Sequence, residues 1–223
     1  MRALLYEPCW CGRGHSPEEV PITSGDEERR LPSTGRFPAS PPLSDGPAVQ
    51  ADLSPVIAAT AQWLTRAFPA SGGALASALC EVQARQAVTV AAWLRYPTAM
   101  DAALVDVAGP GGSARLDWLT GADASLGDDV DAHAWRTWVD EVVASWAASL
   151  LTDPELAALA VAALAEGSHS TGAPAEFRRL VAPDDSDQRA AALLRHPDLL
   201  APVAELHHTQ LLDRLLPGRT LIA

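Results

Sequence analysis

The segment that follows residue 53 is the feature that most constrains this chain, because it is rich in alanine and leucine and strongly periodic. Its apolar side chains recur every three or four residues, as on one face of a helix, and the first such set is Ile57, Ala61, Leu64 and Phe68. Turn signals such as Gly109-Pro110-Gly111-Gly112 separate the periodic stretches. The pattern predicts an all-α fold, an irregular multi-helix bundle.

Two proline-containing stretches predict where helices begin. Ser54-Pro55 is typical of an N-cap residue followed by proline at the first helical position. Thr152-Asp153-Pro154-Glu155 fits a capping box before the next apolar run. Together with the periodicity, these signals predict helices close to residues 54–68, 73–95, 97–108, 116–119, 131–150, 154–166, 175–181, 186–194 and 196–216, the last interrupted near Pro202.

The first fifty residues differ in character from the rest of the chain. Residues 16–50 contain seven prolines and few large apolar side chains, so they bury too little surface to offset the entropy of ordering. We therefore predict a proline-rich, largely non-regular leader over residues 1–50 and a helical domain over residues 51–223.

Charge and composition narrow the range of functions. The formal net charge is −12, and all sixteen basic residues are arginine. An acidic surface repels phosphate backbones and anionic lipids, so we expect neither nucleic acid nor membrane as a partner. The lack of lysine excludes Schiff-base catalysis. Three cysteines are too few for a disulfide framework, which favours a reducing, cytoplasmic location.

Three indoles recur along the predicted helix that begins near residue 131. Trp135, Trp138 and Trp146 share its apolar stripe, and tryptophan is enriched where proteins dock. The leading hypothesis is a protein–protein interaction or accessory module that binds a protein partner through a helical face or through the leader. The oligomeric state stays open.

The leader offers a second hypothesis, a zinc-binding accessory or regulatory protein. Cys9, Cys11 and His15 supply three metal-binding side chains within seven residues. The pattern Pro-Cys-x-Cys-Gly-x-Gly over residues 8–14 resembles the first half of the zinc-binding knuckle known as the SEC-C motif. The resemblance implies zinc at both cysteines and a second Cys-Cys or Cys-His pair, where this chain has Glu18, Glu19 and Val20. The alternative is a leader with free, unligated cysteines.

A third hypothesis is a small α-helical metal-dependent enzyme. Asp129, Asp131 and His133 alternate along the chain and would converge on a divalent ion if the segment were extended. The other interpretation is that these acids lie before a helix and stabilise its N-terminus. His207 and His208 form a second candidate pair, although a packed, hydrogen-bonded histidine is the favoured reading. No nucleophile or phosphate-loop motif occurs, so catalysis is the least favoured function.

Overall fold

The computed structural model describes residues 52–122, 133–165 and 177–217. Over these ranges the chain is all-α, as predicted, with ten α-helices, one 3-10 segment and no strand. The leader lies outside the described ranges, so its predicted boundary stays a prediction. The elements are α1 (Ser54–Ala67), α2 (Ala74–Arg95), α3 (Ala99–Ala108), α4 (Ala114–Thr120), the 3-10 segment (Ala134–Trp138), α5 (Glu141–Thr152), α6 (Pro154–Ala165), α7 (Arg178–Val181), α8 (Asp185–Ala190), α9 (Pro197–Ala204) and α10 (His208–Leu215).

Helix α2 is the central element of the bundle. It packs against α1, α5, α6, α7 and α8. Its core face consists mostly of small or β-branched side chains, and the fully buried ones include Ala84, Ala87, Val88 and Ala91. Small side chains allow neighbouring helices to approach closely. The second central helix is α5, in which every residue from Val143 to Leu151 is buried.

Buried hydrogen bonds join distant parts of the bundle. Trp63 on α1 donates its indole N–H to Oδ1 of Asp117, 2.9 Å away on α4. Asp117 also accepts from the Ser113 hydroxyl at 2.6 Å and pairs with Arg136. A buried carboxylate is costly unless its oxygens are satisfied, and here three donors surround it. The result ties the 3-10 segment and α4 to α1.

Two predicted caps are shifted by one or two residues. At α1 the accepting side chain is that of Asp52 and not that of Ser54. Asp52 Oδ1 accepts the backbone N–H of Ser54 at 2.8 Å. At α6 the cap is Asp153, whose Oδ1 accepts the N–H groups of Glu155 and Leu156 at 3.0 Å each. Thr152 instead ends α5. In both places an Asp one or two residues from the predicted cap accepts backbone N–H groups at the start of the helix.

The predicted helix over residues 131–150 is wrong as a continuous element. In the described part of this segment, a 3-10 turn ends at Trp138 and α5 begins only at Glu141. Asp140 separates the two, because its backbone is extended and its Oδ1 accepts the Val143 N–H at 2.9 Å. Its other carboxylate oxygen accepts the hydroxyl hydrogen of Tyr96. This buried contact fixes the start of α5.

The C-terminal helix is also divided, but not where the sequence predicts. Pro202 lies inside α9, and the break comes after it, where His207 precedes α10. Ser145 on α5 accepts the His207 backbone N–H at 3.0 Å and donates its hydroxyl to the Ala204 carbonyl at 2.9 Å. A single hydroxyl therefore satisfies two backbone groups at the break.

Candidate interaction surface

The structure separates the three predicted interaction tryptophans. Trp146 is only 3% exposed, and its indole N–H donates to the His207 carbonyl at 3.1 Å. Trp146 is thus a core residue that a partner does not reach. Trp135 and Trp138 are half-buried and pack against the core. The single stripe predicted from the sequence does not exist, because the 3-10 segment and α5 are different elements.

Two arginines lie close to the indole ring of Trp135. The guanidinium carbon of Arg66 is 5.1 Å from the indole ring centroid, and that of Arg136 is 5.2 Å from it. Both distances are within the range of cation–π attraction. Within the described ranges the indole N–H of Trp135 is buried and has no hydrogen-bond acceptor. These contacts bind Trp135 to its own chain, which reduces the aromatic surface that it offers to a partner.

The predicted metal ligands receive no support from the part of the chain that the structure describes. Cys9, Cys11 and His15 lie outside the described residues, and so do Asp129 and Asp131. His133, the remaining member of the second cluster, is half-buried just before the 3-10 segment. Over residues 52–122, 133–165 and 177–217 no three histidine, cysteine or acidic side chains converge on a common point. Zinc binding by the leader stays a prediction.

His207 and His208 contact different side chains. Nε2 of His207 lies 2.8 Å from Oε1 of Glu141, while Nδ1 of His208 lies 3.3 Å from Oγ of Ser149. The hydroxyl of Ser149 donates to the Ser145 carbonyl at 3.1 Å, so its proton is not held by the histidine. This is not the arrangement of an activated serine. The prediction that His207 is a packed, hydrogen-bonded histidine is confirmed.

His208 lines an open surface hollow of about 350 Å³, and a second hollow of similar volume adjoins it. The other residues that line this hollow include the acids Asp153 and Glu205 together with Pro197, Ala201 and Ala204. The adjoining hollow shares Thr152 and Pro197 with the first and is also lined by Arg195. The Arg195 guanidinium already donates hydrogen bonds to three acceptors of its own chain. Ser149 and His208 both line the first hollow, but the Ser149 hydroxyl donates to the Ser145 carbonyl and is not activated by the imidazole.

Among the described helices, α3 has the most exposed apolar face. Met100, Leu104 and Val107 are 68%, 60% and 88% exposed. They follow the i, i+4, i+7 spacing of one helix face, which is also the spacing of a stripe packed on a core. In α3 this stripe faces away from the core, since the buried residues of the helix are Ala102 and Val105. We call Met100, Leu104 and Val107 the α3 apolar face.

Local sequence explains why α3 forms although its large side chains are in solvent. Thr98 and Asp101 make a capping box: Thr98 Oγ1 accepts the Asp101 N–H at 3.1 Å, and Asp101 Oδ2 accepts the Thr98 N–H at 3.0 Å. The hydrogen bonds from Thr98 hold the pKa of the Asp101 carboxyl below its usual value. Gly109 ends the helix with φ at 71°, a conformation that favours glycine. The helix is thus fixed at both ends.

Other large apolar side chains of the described ranges are also exposed, among them Leu75 on α2, at 75%, and one indole. Trp118 on α4 is 70% exposed, although its neighbours Leu116 and Asp117 are buried. The short helix predicted near residues 116–119 is confirmed by α4, but the sequence does not show that Trp118 or the α3 apolar face is accessible. The period of the apolar residues gives no such signal, because a stripe that faces water has the same spacing as one that faces the core.

Comparison of the chain with protein-family models, with curated proteins and with solved structures gave no match. The likeness of residues 8–14 to half of the SEC-C motif therefore stays a prediction. Among the described helices, none combines the length and apolar character needed to cross a bilayer.

Proposed function

We propose that this chain is a protein-binding module that engages its partner through the α3 apolar face. The observation that carries the proposal is the exposure of Met100, Leu104 and Val107 on one helix of a domain whose other helices bury most of their large side chains. Contiguous exposed apolar surface on a soluble domain is typical of interaction sites. Scattered single residues need no such explanation, but three on one face do.

The fold of α3 supports this proposal. Its buried residues are an alanine and a valine, so the larger side chains contribute little to the core. Burying Met100 or Leu104 against a partner would remove apolar area from water at about 25 cal/mol per Å². The helix is capped at both ends and would lose little conformational freedom on binding, which favours affinity. Trp118 provides a second exposed anchor on α4.

Site-specific photocrosslinking in the native cells tests the proposal. A photoreactive amino acid at Val107 should yield one crosslinked protein, whereas the same amino acid at Leu199, an exposed leucine on α9, should not. The crosslinked protein is then purified and its affinity measured by calorimetry. We expect it to bind the wild-type chain and to bind a Met100→Gln, Leu104→Gln, Val107→Gln variant at least about tenfold more weakly.

Glutamine is chosen because it retains helix propensity while it removes the apolar surface. Circular dichroism checks that the variant keeps its fold. Equal crosslinking at Val107 and Leu199, or unchanged affinity of the purified partner for the glutamine variant, would refute the role of α3.

A further inference from the structure

We infer that the partner presents an apolar groove with a basic rim, into which α3 inserts as a helix. This inference rests on the proposed function and adds the chemistry of the partner. Anchors at i, i+4 and i+7 are the pattern by which an amphipathic helix binds a hydrophobic groove. Met100, Leu104 and Val107 have this spacing and point away from the buried Ala102 and Val105.

The charged side chains of α3 indicate that the rim of the partner's groove is basic. At about 100° per residue, Asp101 and Asp106 lie on opposite sides of the stripe formed by the three anchors. Between Ala99 and Ala108 these two carboxylates are the only charged side chains. Asp106 is exposed and forms no ion pair within the described ranges, whereas Asp101 also experiences the charges of Arg95 and Arg214. A groove flanked by arginine or lysine would complement both edges.

Charge argues against two other binding partners for the α3 apolar face, a second copy of this chain and an anionic membrane. A second copy would bring its own Asp101 and Asp106 to the same seam, and each copy carries a net charge of −12. Like charges that face each other across an interface are unfavourable. An anionic membrane surface repels the same acidic helix. A partner protein with a basic rim removes this repulsion, so we commit to that occupant.

Two synthetic peptides probe this chemistry on the full-length protein. Both are amphipathic helices with leucine at identical positions, one with lysine and the other with glutamate on the polar face. Titrations into ¹⁵N-labelled protein map the contact by amide chemical shifts. We expect the leucine–lysine peptide to shift α3 resonances and to bind at least about tenfold more tightly than the leucine–glutamate peptide. The triple glutamine variant of α3 should lose this binding, although its charge is unchanged.

A single charge substitution tests the contribution of the basic rim to binding separately from that of the apolar anchors. Asp106→Asn should weaken the leucine–lysine peptide about threefold and lessen the dependence of its affinity on salt. Asp198→Asn, at an exposed acid on α9, is the matched control and should change neither quantity.

The outcomes distinguish the inference from the proposed function. Equal α3 shifts with both peptides, or an unchanged affinity in Asp106→Asn, would overturn the basic rim while α3 remained an interaction face. Shifts that map elsewhere than α3, or that persist in the glutamine variant, would overturn both. Concentration-dependent α3 shifts without peptide would assign the face to a second copy. Shifts with vesicles of phosphatidylcholine and phosphatidylglycerol would assign it to a membrane, and either result contradicts the inference.

Discussion

Arg195 donates its Nε hydrogen to Oε1 of Gln83, 2.6 Å away, across a sequence separation of 112 residues. The same guanidinium donates to the Leu151 carbonyl at 3.1 Å and to the Arg179 carbonyl at 2.6 Å. The Gln83 amide in turn donates to the carbonyl of Asp187 at 2.9 Å. This polar cluster joins α2, α5, α7 and α8.

The first prediction concerns Arg195. Replacing it with methionine keeps most of the side-chain length but leaves three acceptors without their donor. Buried acceptors without a partner are costly, so we expect Arg195→Met to lower the free energy of unfolding by about 3–5 kcal/mol. Arg189→Met, at an exposed arginine on α8, should change it by less than about 0.5 kcal/mol. Urea denaturation followed by circular dichroism measures both. Equal stability of the two variants would show that the cluster does not hold the helices together.

The second prediction concerns Asp117. Asp117→Ala removes the acceptor of the Trp63 indole N–H and the counter-ion of Arg136. We expect a loss of about 3–5 kcal/mol. Asp117→Asn keeps an oxygen for Trp63 and should lose less, because its amide can also donate to the Ser113 hydroxyl oxygen. Thermal unfolding shows which of the two variants is less stable. If asparagine proved as destabilising as alanine, hydrogen bonding at this site would not explain its stability.

The third prediction concerns pH. Burial, and then the neighbouring Asp140 carboxylate, raise the pKa of the Tyr96 hydroxyl above its ordinary value. A raised folded-state pKa means that unfolding releases a proton once the pH exceeds the unfolded pKa of about 10. The stability that Tyr96 contributes is therefore complete below this pH and decreases above it. We expect the free energy of unfolding to fall with rising pH in this window, and to fall less steeply in Tyr96→Phe.

Spectrophotometric titration measures the ionisation of the Tyr96 hydroxyl directly. The chain has two tyrosines, so a Tyr6→Phe background leaves the Tyr96 phenolate as the only signal. The phenolate should appear only as the domain unfolds. Ionisation with an ordinary pKa in the folded protein would contradict the buried contact with Asp140.

The fourth prediction compares two leucines. Leu116 on α4 is fully buried, whereas Leu104 belongs to the α3 apolar face. Leu116→Ala should lower the free energy of unfolding by about 2–5 kcal/mol because it leaves a cavity. Leu104→Ala should change it by less than about 0.5 kcal/mol, since most of this side chain stays in solvent in the folded domain. A large loss in Leu104→Ala would place α3 in the core.

Much of the fold follows from the sequence, because apolar spacing and proline or glycine positions determine where helices form. The end of α3 at Gly109 and the start of α6 at Pro154 are examples. Other features depend on contacts between distant residues. The break before α5 requires Asp140 to meet Tyr96, 44 positions away, and no local pattern shows this.

The candidate site could not be predicted for a similar reason. A periodic stripe shows that a helix has an apolar face, but not which neighbour, if any, covers that face. For Trp146 the neighbour is the chain around His207, and the indole is buried. For Met100, Leu104 and Val107 the described residues provide no such cover. Only the assembled bundle distinguishes these two cases.

Oxidation of Met100 tests most directly whether the α3 apolar face is open in the free protein. The chain has two methionines, Met1 and Met100, so peptide mass spectrometry resolves them after brief exposure to hydrogen peroxide. We predict that Met100 of the native full-length chain forms sulfoxide at a rate within about twofold of its rate in the urea-denatured chain, because its side chain is exposed. Protection of native Met100 by about tenfold or more would show that this face is already covered, and would contradict the account.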